Sequence, residues 1–226
     1  MTTWRMLPGE RTKLYSPIGL RLIDEMTGQV PIGQVTSLLE FSDDVGVWRK
    51  TDVKAVITLS GVIAYPGLER RAEVVGRPSR RYRIRLNAEF YHPMNLASVE
   101  FDAYPYNDSN PPNSIVSQVQ NAFLIPATNY PFPTYVTILR GVVKDALGKA
   151  VESVKVIHDH FDPNNNKHWV QRVLTDERGG YALPLRRVQK NVPVAIIAHD
   201  PRTGRVGSVN VTLPADLGKN HTIIIS

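Results

Sequence analysis

Apolar and polar residues alternate with a period of two along most of this chain, a pattern that admits strands and little else. Tyr82, Ile84, Leu86, Ala88 and Phe90 fall on one side of an extended segment, with Arg81, Arg83, Arg85 and Asn87 on the other. Side chains alternate across a strand, so such a segment buries one row and exposes its neighbour. Val192, Val194, Ile196 and Ala198 repeat the pattern, as do residues 138–143, 151–157, 207–213 and 222–225. The runs are short, rich in β-branched residues and bounded by Gly, Pro, Asn and Asp, the residues of turns. Helical periodicity is weak, and its best stretch predicts one helix at Ser114–Phe123.

Composition bounds the rest. Of 226 residues, 42% are apolar, enough for one large core or two modest ones and too many for a disordered chain. Cysteine is absent, which excludes a disulfide framework, a thiol nucleophile and a cysteine-ligated metal. Residues 1–10 hold no apolar core of signal-peptide length, and no stretch reaches the 18 apolar residues of a membrane span. The expectation is synthesis in the cytoplasm without a signal peptide, followed by assembly into a particle able to leave the cell.

Prolines mark a seam. Six of the 17 fall between Tyr104 and Thr134. Proline cannot donate to a strand ladder, so 105–135 reads as an extended, partly rigid connection. On either side lie residues 1–104 and 136–226, each the size of one β-sandwich. The halves also echo each other. Glu25-Met-Thr-Gly28 answers Asp145-Ala-Leu-Gly148, and Ser60-Gly61-Val-Ile-Ala64-Tyr65 answers Gly179-Gly180-Tyr181-Ala182-Leu183. Preserved order and spacing predict a duplicated all-β unit, with glycine supplying the positive φ of each turn.

The second half carries a more specific pattern: Gly141-Val-Val-Lys-Asp145-Ala-Leu-Gly148, then Val154-Lys-Val156, then Thr175-Asp176-Glu-Arg-Gly179-Gly180-Tyr181. It resembles the carboxypeptidase regulatory-like, or transthyretin-like, β-sandwich domain over 136–226. That resemblance implies two tandem antiparallel β-sandwiches, the second transthyretin-like, and a non-catalytic role. In physical terms Gly141 admits a ring or backbone close to its strand, and Asp176 satisfies turn amides. More loosely, Ser60–Leu68, Tyr82–Pro93, Ala103–Asn107, Leu124–Pro126 and Tyr130–Pro133 resemble β-sandwich structural proteins of contractile injection systems and phage-tail-like particles. That implies a structural or interaction component assembled with other subunits.

Candidate chemistry is sparse. His158 and His160 lie on one side of a strand about 7 Å apart, within reach of a shared metal. In the intradiol dioxygenases, which share the sandwich architecture, the His-x-His follows the Thr-Asp…Gly-Tyr element; here it precedes it. The chain also lacks the Tyr-Arg-Gly-Ser-type tail of hydroxyisourate hydrolases. The reading is no enzyme, no metal and no cofactor. A metal-dependent enzyme using His158 and His160 ranks third, behind a free-standing module that binds carbohydrate or protein.

Charge is local. Eighteen Arg and nine Lys face 21 acidic residues, and seven Arg crowd into 70–85. Glu69 and Glu73 cannot neutralise all seven, so a positive surface is expected to remain. Arg81, Arg83 and Arg85 are expected to stand outward, to tolerate replacement without loss of fold, and to meet an acidic protein surface. Nucleic acid is disfavoured, because the aromatics share the apolar side instead of offering stacking platforms. Trp4 is a second candidate partner contact, while Trp48 and Trp169 are expected in the core.

Overall fold

A computed structural model describes residues 14–92, 98–111, 118–162, 166–185 and 191–226. Every regular element among them is a strand: β1 (Ile18–Asp24), β2 (Val35–Ser42), β3 (Trp48–Lys50), β4 (Val56–Ile57), β5 (Val62–Ala64), β6 (Arg80–Ala88), β7 (Val99–Ala103), β8 (Gln118–Leu124), β9 (Thr137–Asp145), β10 (Lys155–Asp162), β11 (Lys167–Leu174), β12 (Gly180–Leu185), β13 (Pro193–His199), β14 (Val206–Thr212) and β15 (His221–Ile225). None is a helix long and apolar enough to cross a membrane. The helix expected at Ser114–Phe123 is not formed over its described part, which is β8. Ala122 and Leu124 are buried there while Val119, Asn121 and Phe123 face out. A period of two prevails where a neighbouring strand offers pairing. Residues 114–117 lie outside the described residues.

The described residues form two compact units. The N-terminal unit takes residues up to 23, 28–87 and the described part of 98–123. The C-terminal unit takes 24–27, 88–92 and 124 onward. Within 105–135, read from sequence as a connection, Tyr106 is buried in the N-terminal unit. Tyr130 is buried in the C-terminal one, where its hydroxyl donates to Asp24 Oδ2 at 2.6 Å.

Sheet order is the same in both units. The N-terminal unit stacks β4-β5-β1-β8 with β3-β2-β6-β7, and the C-terminal unit stacks β12-β9-β15 with β11-β10-β13-β14. Numbering each unit from its own first strand makes the two arrangements coincide, with β4 as an added edge. Hydrogen bonds coincide too. Leu22 N donates to Gly61 O at 2.9 Å, and Val143 N donates to Gly179 O at 2.8 Å. The hairpin turn behind that carbonyl is closed by Val62 N on Thr58 Oγ1 at 3.0 Å in one unit and by Gly180 N on Asp176 Oδ1 at 2.8 Å in the other. Gly61 and Gly179 hold φ of 75° and 71°, a conformation costly for any residue with a Cβ.

The C-terminal unit departs from a purely antiparallel sandwich. β15 runs parallel to β9, from His221 opposite Gly141 to Ile225 opposite Asp145. The chain crosses from the sheet of β14 to the other sheet before β15, and a crossover delivers a strand in the parallel sense. Leu139, Val143, Leu183, Ile196, Val211, Ile223 and Ile225 meet between the two sheets as one core.

Gly141 sits where this core is tightest. A Cβ there would lie 2.2 Å from His221 O and 2.5 Å from Tyr181 Oη, so the sequence expectation of a close ring and backbone holds. Gly19 is a contrasting case, since its Cβ would meet Val119 and Val62 at an ordinary 3.6 Å. We expect Gly141→Ala to destabilise the protein by about 3 kcal/mol or more, because backbone on one side and a buried ring on the other cannot give way. Gly19→Ala should change stability by less than about 1 kcal/mol. Urea unfolding followed by circular dichroism checks both.

Candidate functional site

The outward row of β6 shows how the arginines are held. Tyr82, Ile84, Leu86 and Ala88 are buried, and Tyr82 stacks on Phe101 of β7 with ring centroids 5.7 Å apart. That row locks the strand, so Arg81, Arg83 and Arg85 emerge from a fixed backbone. Arg81 reaches Glu100 on β7 at 2.6 Å. Arg83 bonds Glu40 on β2, and Arg85 lies 3.0 Å from the same carboxylate.

The remaining arginines of 70–85 are paired as well. Arg71 meets Glu69 at 2.8 Å, Arg80 meets it at 3.9 Å, Arg70 meets Asp108 at 2.6 Å and Arg77 meets Glu73 at 3.9 Å. Seven guanidinium groups thus share five carboxylates. Tyr82 also donates to the buried Glu69. Burial, and then that acidic partner, push the Tyr82 phenol up to about 12.

The sequence expectations for Arg83 and Trp48 need correction. Arg83 does not stand free: its side chain is 16% exposed, clamped between Glu40 and the ring of Trp48, whose centroid is 4.4 Å away. Removing it would leave Glu40, itself only 9% exposed, with Arg85 as its one remaining cation in contact, so Arg83 is not exchangeable as an open surface charge is. Nor is Trp48 a core residue, because it lies on the outward side, where a cation–π contact with a guanidinium is available. Arg81 and Arg85 keep side-chain exposures of 63% and 44% and remain accessible.

Sequence reasoning missed Glu40, Glu100 and Trp48, which come from three other strands. The alternation Leu39-Glu40-Phe41 carried a signal that Glu40 faces out, but strand order decides what it faces. Burial raises the Glu40 pKa, yet the hydrogen bonds and charges of Arg83 and Arg85 outweigh it and hold the group below its ordinary value.

His158 and His160 do share one side of β10, with ring centroids 6.3 Å apart. His158 is a core-facing residue, 5% exposed, with Nδ1 lying 3.3 Å from Ala195 O. Burial pushes its pKa below the ordinary histidine value. Among the described residues no three His, Asp or Glu side chains gather as a metal would need. Trp169 is 37% exposed and not a core residue. It lines a hollow of about 100 Å³ in the C-terminal unit with Glu25, Met26, Pro126, Gln171, Arg172 and Pro184. Glu25 accepts from Arg172 Nε there at 2.6 Å. Space for about three waters is too little for an ordinary small-molecule site. Trp4 lies outside the described residues.

No family model matches the chain, and no curated protein matches it. Among solved structures it is similar to the TIE protein of Bacillus anthracis, at 11% identity and a TM-score of 0.31, over 94% of this chain and 33% of that one. It is also similar to BcpA, the major pilin subunit of Bacillus cereus, at 9% identity and 0.31, over 94% of this chain and 69% of that one. A third is the shaft pilin SpaA of Lactobacillus rhamnosus GG, at 9% and 0.27, over 94% and 97%. The chain spans a third of the first of these.

The Arg83–Glu40 pair makes a direct prediction. Arg83→Ala should cost about 1–3 kcal/mol of unfolding free energy, and Arg81→Ala less than about 0.5 kcal/mol. The gap between wild type and Glu40→Gln should be widest near neutral pH. A depressed carboxyl pKa adds stability only where the group is ionised, so the gap should close as pH falls through the lowered Glu40 value. Urea midpoints measured from pH 7 down to pH 2 check the sign.

Proposed function

We propose that the chain is a non-enzymatic structural or interaction component of a multi-protein particle, of phage-tail-like or contractile-injection kind. In this reading Arg81 and Arg85 contribute to a surface that meets an acidic face of another subunit. The observation that carries it is an ordered excess of guanidinium groups: seven arginines on five carboxylates, presented from strands whose inner rows are buried. Fixed side chains lose little freedom on binding, and Arg forms planar paired bonds with carboxylates. Of the aromatics beside the patch, Tyr82 and Phe101 stack on each other in the interior and Trp48 lies against the Arg83 guanidinium, which favours a protein surface over single-stranded nucleic acid.

The test replaces Arg81 and Arg85 with Glu and keeps Arg83, so that the Glu40 pair survives. Arg85→Glu also gives up the contact with Glu40 and sets a like charge beside it, so stability should fall by about 1–2 kcal/mol, with the fold kept. Incorporation into high-mass particles purified from the host should be lost, and wild-type incorporation should weaken as salt rises. Normal incorporation of the double variant at low and moderate salt would reduce the patch to a solvated surface. Binding of wild type to DNA with a steep salt slope would replace the protein partner by nucleic acid.

A further inference from the structure

The inward row of β10 passes from valine to histidine. Val156 is fully buried, His158 is 5% exposed, and the row ends at the half-buried His160, whose ring centroid lies 6.3 Å from that of His158. His158 Nδ1 lies 3.3 Å from Ala195 O on β13. A carbonyl only accepts, so Nδ1 carries the proton and donates it. Nε2 is then the nitrogen with the lone pair, and it is buried without a hydrogen-bond partner among the described residues. An unused lone pair is a modest cost. A proton added there would make a buried cation with an N–H that nothing accepts.

Backbone pairing of β10 with β13 runs from Lys155 opposite His199 to Ile157 opposite Ile197 and stops there. Pairing with the edge strand β11 continues to Asp162 opposite Lys167. Beyond Ile157 the β10–β11 hairpin is therefore an arm without a ladder to β13, and His158 fastens its base through Ala195 O. Little around the ring offsets a positive charge. Gln171 stands opposite on β11, and the inward residues of β12 and β13, Leu183, Leu185, Val194 and Ile196, are apolar. A charged His160 repels a cation at His158. Asp159 attracts one, but it lies on the outward side, 46% exposed and paired with His168 at 3.1 Å. Glu25 and Arg172, which line a hollow with Gln171, answer each other at 2.6 Å.

We propose that His158 is an acid-sensitive clamp: neutral, it holds the β10–β11 arm against β13, and on taking a proton from solvent it turns outward, gives up Ala195 O and lets the arm open. In the open arm the imidazole is hydrated and takes up its proton at about the ordinary value of 6.5. In the closed arm burial holds it below that value. Below about pH 6.5 the open form therefore binds more protons than the closed form, and each further unit shifts the balance toward opening by up to about tenfold. The shift levels off once the closed form is protonated as well. Protonation of His168 works in the opposite sense, since it tightens the outward pair with Asp159. The inference rests neither on the arginine surface nor on assembly into a particle.

Hydrogen exchange of the full chain, read by mass spectrometry and corrected for the pH dependence of intrinsic exchange, tests it from about pH 8 to about pH 5. Protection at 158–161 and 168–171 should fall by up to about tenfold per unit below about pH 6.5, while β9, β12 and β15 keep theirs. His158→Gln keeps a donor for Ala195 O and cannot ionise, so its arm should stay protected throughout. His160→Gln should still show the loss. Arm protection in wild type that does not change with pH overturns the proposal. The same loss in His158→Gln does so too, as does a loss shared equally by β9, β12 and β15. Should His158→Gln not fold, the ring resonances of wild type, assigned through bonds by NMR, decide the matter. His158 should titrate below the ordinary histidine value and in step with the arm amides, and a midpoint at or above that value overturns the proposal.

Discussion

Both halves of this protein hang on one hydrogen bond and the glycine that accepts it. The amide of Leu22 reaches Gly61 O, and that of Val143 reaches Gly179 O, from the first strand of each unit to the turn of a hairpin. The carbonyl can point there because Gly61 and Gly179 take positive φ without steric cost. That contact sets the register of the hairpin on the first strand, and register decides which row of every residue faces the core. The close approach of Tyr181 to Gly141 follows from the same placement. A displaced register would exchange the buried and exposed rows at once.

The electrostatics follow from the sheet rather than from the charge count. A cluster of seven arginines over sixteen residues looks like a bare cationic patch along the sequence. Strand order places β6 between β2 and β7, and each neighbour brings a carboxylate opposite the arginine row. Cross-strand pairs of opposite charge are the ordinary currency of an outward sheet surface. Here the pairing goes further, since Glu40 is shielded by two arginines and Arg83 lies on Trp48. What is left is a small, ordered positive excess in place of a diffuse cloud, which suits planar recognition of carboxylates more than long-range attraction.

Duplication brings an asymmetry that a single unit would not have. Equivalent turns end up in different surroundings, one covering Met26 and the other exposing Leu147.

The sequence by itself determined the all-β class, because period-two patterning between turn residues supports no other regular structure. It also determined the turn chemistry and the doubling. Asp145 and Asp176 act through side-chain bonds to residues two to four positions away, a range the sequence displays directly. It gave the wrong element at 118–123, where a weak helical pattern lost to pairing with a distant strand. It also placed Arg83 and Trp48 wrongly, since their partners lie on other strands, Glu40 being 43 residues from Arg83. Only the tertiary structure decided which carboxylates answer which arginines, that His158 is a buried core residue, and that of two like turns one is covered and one is bare. Those outcomes depend on which strands become neighbours, and neighbours in a sheet are chosen by the whole hydrophobic pattern rather than by any local stretch of it.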